Sequence, residues 1–294
     1  MMVVKTVWLL VLFASLNVCA QPSDTLSTTD KKKLRSLVII SGTGYTATLI
    51  GLNELWYKDS PRQSFSFFND NNQWKQLDKA GHFFSAFHLS AGTSKSLQGC
   101  GVNKIKSDLW GSVTGFLILL PIEIFDGFSA DYGASTGDLF ANAAGASFFL
   151  GQNKLWNEVR IHPKYSFQRT SYPALRPDNI LGNSLVTEIF KDYNGQTYWL
   201  SIDIDKFMKF PKWLNLAVGY GAEGMVYATN HENTAAGYHA TRQFYLGLDF
   251  DVSHLKSRSK VVNTILFMVN MVKLPAPALR FSGSSITFRP LGLQ

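Results

Sequence analysis

Two cysteines, Cys19 and Cys100, are all that 294 residues hold. That removes the small secreted module stapled by disulfides and the Cys-rich zinc ribbon. Charge is scarce as well. Asp, Glu, Lys and Arg make up 17% of the chain, against 46% hydrophobic and 14% aromatic residues, so most elements must bury or shelter apolar surface. There is no His-Glu-x-x-His helix and no phosphate loop. Gly42-Thr43-Gly44 lies in a helix-like apolar run and is not a phosphate loop. No module interleaving aromatic and basic residues is present to read nucleic acid. The net charge of +7 therefore points to a membrane or anionic envelope surface as the partner, with other envelope proteins as a further option.

What is there begins with an export signal. Met1 to Lys5 is a short basic start, Thr6 to Val18 is uncharged, and Val18-Cys19-Ala20 precedes Gln21. This predicts a signal peptide over 1–20, cleaved after Ala20. The apolar run is short for a span, which wants about 20 residues; an uncleaved anchor is the alternative. A lipid on Cys19 is another, although Val18 stands where lipoprotein signals carry a very small residue. Cleavage removes one charge, Lys5, and lowers +7 to +6. It also leaves Cys100 alone, so no intramolecular disulfide is expected. The predicted location is the periplasm or outer membrane, with the inner membrane as alternative.

Residues 21–32 read as a flexible leader. Residues 36–53 carry no charge; their length is borderline for a span, and a buried core helix is the equal alternative. Further helices are expected over 77–96, 104–128 (with Pro121 as a kink) and 135–156. After Arg160 the texture changes. Pro163, Pro173 and Pro177 suggest a linker over 161–182. Beyond it come a short helix over 184–191, strands at 198–205, 213–227, 244–251 and 279–288, and an apolar helix over 260–273. The expected fold class is α+β: an apolar four-helix bundle over about 33–157, then a small antiparallel β-rich half with one helix over 183–294. Four strands are too few for a closed membrane barrel, so the sheet is expected to lean on the helices or on a membrane. The alternating Asp203, Asp205, Asp249 and Asp251 are expected on the solvent face of two strands, with calcium binding as the alternative.

The chemistry gathers in the helical region 33–160. Asp78 and His82 stand four apart, with Lys79 beside them; Glu123 and Asp126 stand three apart; Asp138 and Asn142 stand four apart. Asp131 follows the second pair in a loop. Polar groups on apolar helices are costly to bury unless they meet one another, so they are expected to converge. As a site, His82, Glu123, Asp126 and Asp138 could hold a divalent metal, or His82 could act as a general base oriented by Asp78 or Asp138. Asn142 joins His82, Asp78, Glu123, Asp126 and Asp138 as a candidate site residue. As a structural network, the same groups would fix helix register, with Asp78 or Asp138 pairing His82 and Lys79. No cofactor other than such a metal is expected. His88 lies off the His82 face and reads as ordinary.

Asp78-Lys79-Ala80-Gly81-His82-Phe83, Glu123-Ile124-Phe125-Asp126-Gly127 and Asp138-Leu139-Phe140-Ala141-Asn142-Ala143-Ala144-Gly145 together resemble the YfiM-like proteins, predicted periplasmic or outer-membrane lipoproteins of unknown function. The same order is similar to VanZ-like membrane proteins, which share Asp-Lys-x-x-His and Asp-x-x-x-Asn-x-x-Gly; Asp126 stands where they carry Gln. Neither resemblance implies a reaction. The sequence thus supports an envelope protein, read first as a non-enzymatic membrane-associated structural or binding protein. The alternative is a hydrolase or transferase acting on lipid or glycan through the His/Asp/Glu helices.

Overall fold

The computed structural model describes residues 29–292 apart from 58, 59, 131, 132, 177 and 256. The signal peptide, Cys19, most of the leader and Asp131 lie outside the described residues.

Four long helices come first: α1 (Lys31–Leu52), α2 (Leu77–Gly99), α3 (Lys104–Gly127) and α4 (Thr136–Trp156). Side chains stop three of them at their N-termini. Asp30 accepts from the Lys32 and Lys33 amides, Asn103 from Lys106, and Ser135 from Asp138. Helix α3 continues through Pro121. Helices α2, α3 and α4 meet through small residues. A methyl group on Gly111 would fall 2.6 Å from the Ser90 carbonyl, one on Gly115 2.2 Å from Ser90 Oγ, and one on Gly145 2.2 Å from the Phe83 carbonyl. Such contacts are the close approach that membrane-type helix pairs use. Helix α1 is held by Leu49 and Leu52 against Leu89, Leu119 and Ile122, and by Leu37 against Cys100. Its Val38, Ile39, Ile40 and Ile50 are exposed. Cys100 is buried beside Leu37. One helix among the described residues, α3, is long and apolar enough to cross a membrane.

Strands β1 (Phe67–Phe68) and β2 (Ala134–Ser135) form a small parallel pair beside the helix ends. The second half is one antiparallel sheet in sequential order: β3 (Ile161–Phe167), β4 (Gln196–Ile202), β5 (Leu214–Glu223), β6 (Thr241–Phe250), β7 (Ala278–Ser282) and β8 (Ser285–Arg289). The short helices α5 (Leu185–Lys191), α6 (Asn230–Ala235) and α7 (Lys260–Val269) punctuate it. The fold is mixed helix and antiparallel sheet, as expected, with two corrections. The stretch read as a linker holds strand β3, because Pro163 leaves the pairing of Ile161 to Phe167 with β4 intact. The last expected strand is a hairpin, turned at Gly283, whose φ of 56° suits glycine.

The sheet is inverted in polarity. One face carries Leu216, Val218, Phe244, Leu246, Leu248, Leu279, Ile286 and Phe288, all exposed; Phe244 is 54% and Phe288 63% accessible. The other face carries buried Ser201, Asn215, Gln243 and Asp249 around a small apolar cluster of Trp199, Ala217, Tyr245 and Ala278. Cross-strand pairing makes the apolar face continuous: Val218 opposes Leu246, Leu246 opposes Leu279, and Leu279 opposes Phe288. The segment 271–276 helps to enclose the polar side. The Tyr165 amide donates to the Met271 carbonyl and the Lys273 amide to Tyr165 at one sheet edge, while the Ala276 amide donates to Leu291 beyond β8.

The strand aspartates are therefore corrected. Asp203, Asp249 and Asp251 are buried, not solvent-facing. Asp249 meets the Lys164 ammonium at 2.6 Å and accepts from Ser201; Asp203 accepts from Asn215 and contacts His162; Asp251 contacts His254. Alternation identifies two faces but not which one turns inward. Helix and sheet share a core, in which Leu77 and Phe84 of α2 meet Tyr193, Tyr198, Met225 and Met271.

Candidate functional site: a buried histidine–carboxylate cluster

Helix α2 begins after an unusual turn. Trp74, Lys75 and Gln76 all have positive φ, of 46°, 50° and 68°. Each left-handed non-glycine residue costs about 1–3 kcal/mol and needs outside support. The sheet half supplies it: the Trp74 amide donates to Ala228, the Tyr220 hydroxyl donates to the Lys75 carbonyl, and the Trp74 ring stacks on Tyr193. This turn sets where Asp78, Lys79 and His82 point.

His82, at 0% exposure, is the centre. Its Nδ1 lies 2.8 Å from Asn142 Oδ1. With the amide oxygen facing the ring, Nδ1–H donates, and Nε2 is turned toward two carboxylates, Asp138 Oδ2 at 3.4 Å and Glu123 Oε1 at 3.7 Å. Glu123 also accepts from the Ser135 amide at 3.1 Å. Ser135 caps α4 and its hydroxyl donates to Asp70 at 2.6 Å. Lys79 Nζ joins Asp70, Asp138 (3.1 Å) and Asp78 (3.7 Å). Burial alone would lower the Lys79 pKa, but Asp78, Asp138 and Asp70 outweigh it and hold the ammonium above its ordinary value. The Tyr193 hydroxyl donates to Asp78 at 3.2 Å, and burial with that neighbouring carboxylate pushes its pKa well up.

The structure thus brings together Asp78, His82, Glu123, Asp138 and Asn142. Asp126 is buried one helical turn along, where it accepts from the Tyr57 hydroxyl at 2.6 Å. Sequence reasoning missed Asp70, Tyr57 and Tyr193. They arrive from the loop before α2, the turn after α1 and the β-rich half, and no spacing links them to the helical pairs.

Two chemistries suit the arrangement. A protonated His82 would lock Asp138 and Glu123 to Asn142. A neutral His82, its Nδ1–H anchored by Asn142 as metal-bound histidines usually are, would direct Nε2 to a cation shared with Asp78 and Asp138. Donor atoms of those three residues lie within 4.8 Å of one another, and imidazole with carboxylate suits zinc, manganese or iron. The Lys79 ammonium already fills one cationic position beside Asp138. Neither cavity described for the molecule is lined by His82, Glu123, Asp126 or Asp138.

This is an α+β protein whose helical half encloses a histidine–carboxylate cluster. Residues 65–153 match the model of a family described as a predicted periplasmic lipoprotein (DUF2279). No curated protein and no solved structure matches the chain. The matched span holds every member of the cluster except Tyr57 and Tyr193. The family description supports a protein of the cell envelope and assigns no activity.

Proposed function

We propose that the protein is a non-enzymatic, membrane-associated structural or binding protein of the envelope, and that the outer face of its sheet lies in the acyl region of a bilayer. The carrying observation is the inverted polarity of β5 to β8: Asn215, Gln243 and Asp249 inside, Val218, Phe244, Leu246 and Phe288 outside. Apolar-out and polar-in alternation is the pattern of strands whose outer solvent is lipid. An open apolar patch of this extent is rare on a soluble monomer. In this reading the His82 cluster is a structural lock between helices.

The test is flotation of purified protein with vesicles. The native chain is expected to float, and Leu246→Arg with Phe288→Arg to stay behind while keeping its near-UV dichroism. A charge on a lipid-facing strand costs up to about 2–4 kcal/mol at mid-bilayer. Equal flotation of both proteins would sink the proposal.

A second reading is supported by one observation: His82 Nε2 faces two carboxylates at distances longer than an ordinary hydrogen bond. That suits a divalent cation and an envelope hydrolase or transferase acting on lipid or glycan. Metal analysis of the purified protein, with His82→Ala and Asp138→Asn, separates the two. Stoichiometric metal lost from folded variants favours the second reading; metal-free protein that unfolds when either residue changes favours the lock.

A further inference from the structure

A cavity of about 520 Å³ lies between α1, α2 and α3, well away from the His82 cluster. Its size is that of a small-ligand site, and its walls grade from charged to apolar. On α3, Lys106, Trp110, Thr114 and Ile118 stand four apart along one wall, with the charge nearest the helix end. Leu37 of α1 and Leu89 of α2 face them. The space exists because α1 carries Ser41 and Gly42 there; a Cβ on Gly42 would meet nothing within 4 Å.

The helix ends around Lys106 are basic. The start of α1 brings Lys31, Lys32, Lys33 and Arg35, and the start of α3 brings Lys104 and Lys106. The Asp30 amide donates to the Cys100 carbonyl, which ties these two starts together through the end of α2. Lys33 pairs with Asp30 and Lys104 with Asp108. Lys31, Lys32, Arg35 and Lys106 have no acidic partner among the described residues. The buried carboxylates Asp78 of α2 and Glu123 and Asp126 of α3 sit at the opposite ends of those helices. An occupant must therefore be apolar along its length and negative at one end.

We propose that this groove binds one anionic phospholipid, with an acyl chain along Trp110 and Leu89 and its phosphate at Lys106 and the basic start of α1. The site rests on the membrane-associated reading for its supply of lipid, but not on the sheet face for its geometry.

The experiment uses the full chain in a neutral detergent, with phosphatidylglycerol carrying brominated acyl chains to quench tryptophan fluorescence and brominated phosphatidylcholine as comparison. Expected is saturable quenching by phosphatidylglycerol at one lipid per chain, largely removed by Trp110→Phe. Lys106→Glu should weaken phosphatidylglycerol about tenfold or more, from the worth of a basic residue at an anionic surface, and leave phosphatidylcholine unchanged. Gly42→Phe, which has room at its Cβ, should abolish quenching yet leave flotation on vesicles intact. Unchanged binding in Gly42→Phe would overturn the groove. Equal affinity for both lipids, insensitive to Lys106→Glu, would overturn the headgroup assignment. Equal flotation of the native chain and the sheet variants, with quenching retained, would remove the sheet-face membrane proposal and leave the lipid site standing.

Discussion

His88 on α2 donates from Nε2 to the carbonyl of Pro163 on β3 at 2.7 Å, a buried bond that stitches the helical half to the sheet. The imidazole is wrapped by Phe84, Phe87 and Phe267, with ring centroids 4.5, 5.1 and 6.4 Å away. Burial depresses its pKa to about 3; the bond to Pro163 opposes this, and the positive neighbours His162, Lys95 and Lys164 add to it. His88 is thus neutral when folded and ready to protonate when unfolded.

The sign of the pH dependence follows. Between the folded value of about 3 and the ordinary value of about 6.5 the unfolded chain binds the extra proton. The stability His88 contributes is full above pH of about 6.5 and declines as pH falls through that window. His88→Phe strands the Pro163 carbonyl and should cost about 1–3 kcal/mol at neutral pH. Urea unfolding in detergent should show the gap between native and variant narrowing on acidification. A gap that is constant with pH would place the effect in packing rather than titration.

Inside the sheet, Lys164 and Asp249 form a pair that is almost wholly enclosed, with accessibilities of 1% and 0%. Lys164 also donates to the Phe250 carbonyl and to Asn270. Lys164→Met leaves a carboxylate buried without its cation and should cost about 3–5 kcal/mol. Lys164→Met combined with Asp249→Leu removes the stranded charge and should recover at least half of that loss. A double variant as unstable as the single one would assign the cost to the bonds with Phe250 and Asn270.

The contrast between these two regions shows what the chain alone reveals. Asp78 and His82, Glu123 and Asp126, Asp138 and Asn142 each sit three or four apart in apolar helices, so one face must carry each pair, and low dielectric drives charged groups together. Their meeting follows from helix geometry and solvation. Asp70 and Tyr193 complete the cluster from elements whose placement depends on tertiary packing. In the sheet, period-two alternation was visible in Asp249 and its neighbours, but the usual rule of apolar side inward pointed the wrong way. Nothing in a strand's own residues states that Lys164 on β3, 85 positions before Asp249, will supply the cation that lets Asp249 turn inward.

Two glycines of α4 separate packing from helix propensity within one element. A methyl group at Gly145 would fall 2.2 Å from the Phe83 carbonyl, a backbone atom that moves only with α2 itself, whereas one at Gly151 would meet nothing within 4 Å. Gly151→Ala should stabilise by about 0.5–1 kcal/mol, the ordinary gain in a helix interior. Gly145→Ala should destabilise by about 1–3 kcal/mol through overpacking. The push on α4 acts one turn from Asn142 and beside His82, whose Nδ1 holds Asn142 at 2.8 Å. Gly145→Ala should therefore shift the His82 ring signals in a proton–nitrogen correlation spectrum, and Gly151→Ala should leave them in place. If both variants leave His82 unmoved while only stability changes, the helix contact at Gly145 and the cluster are mechanically independent, and the register-fixing role of the cluster fails.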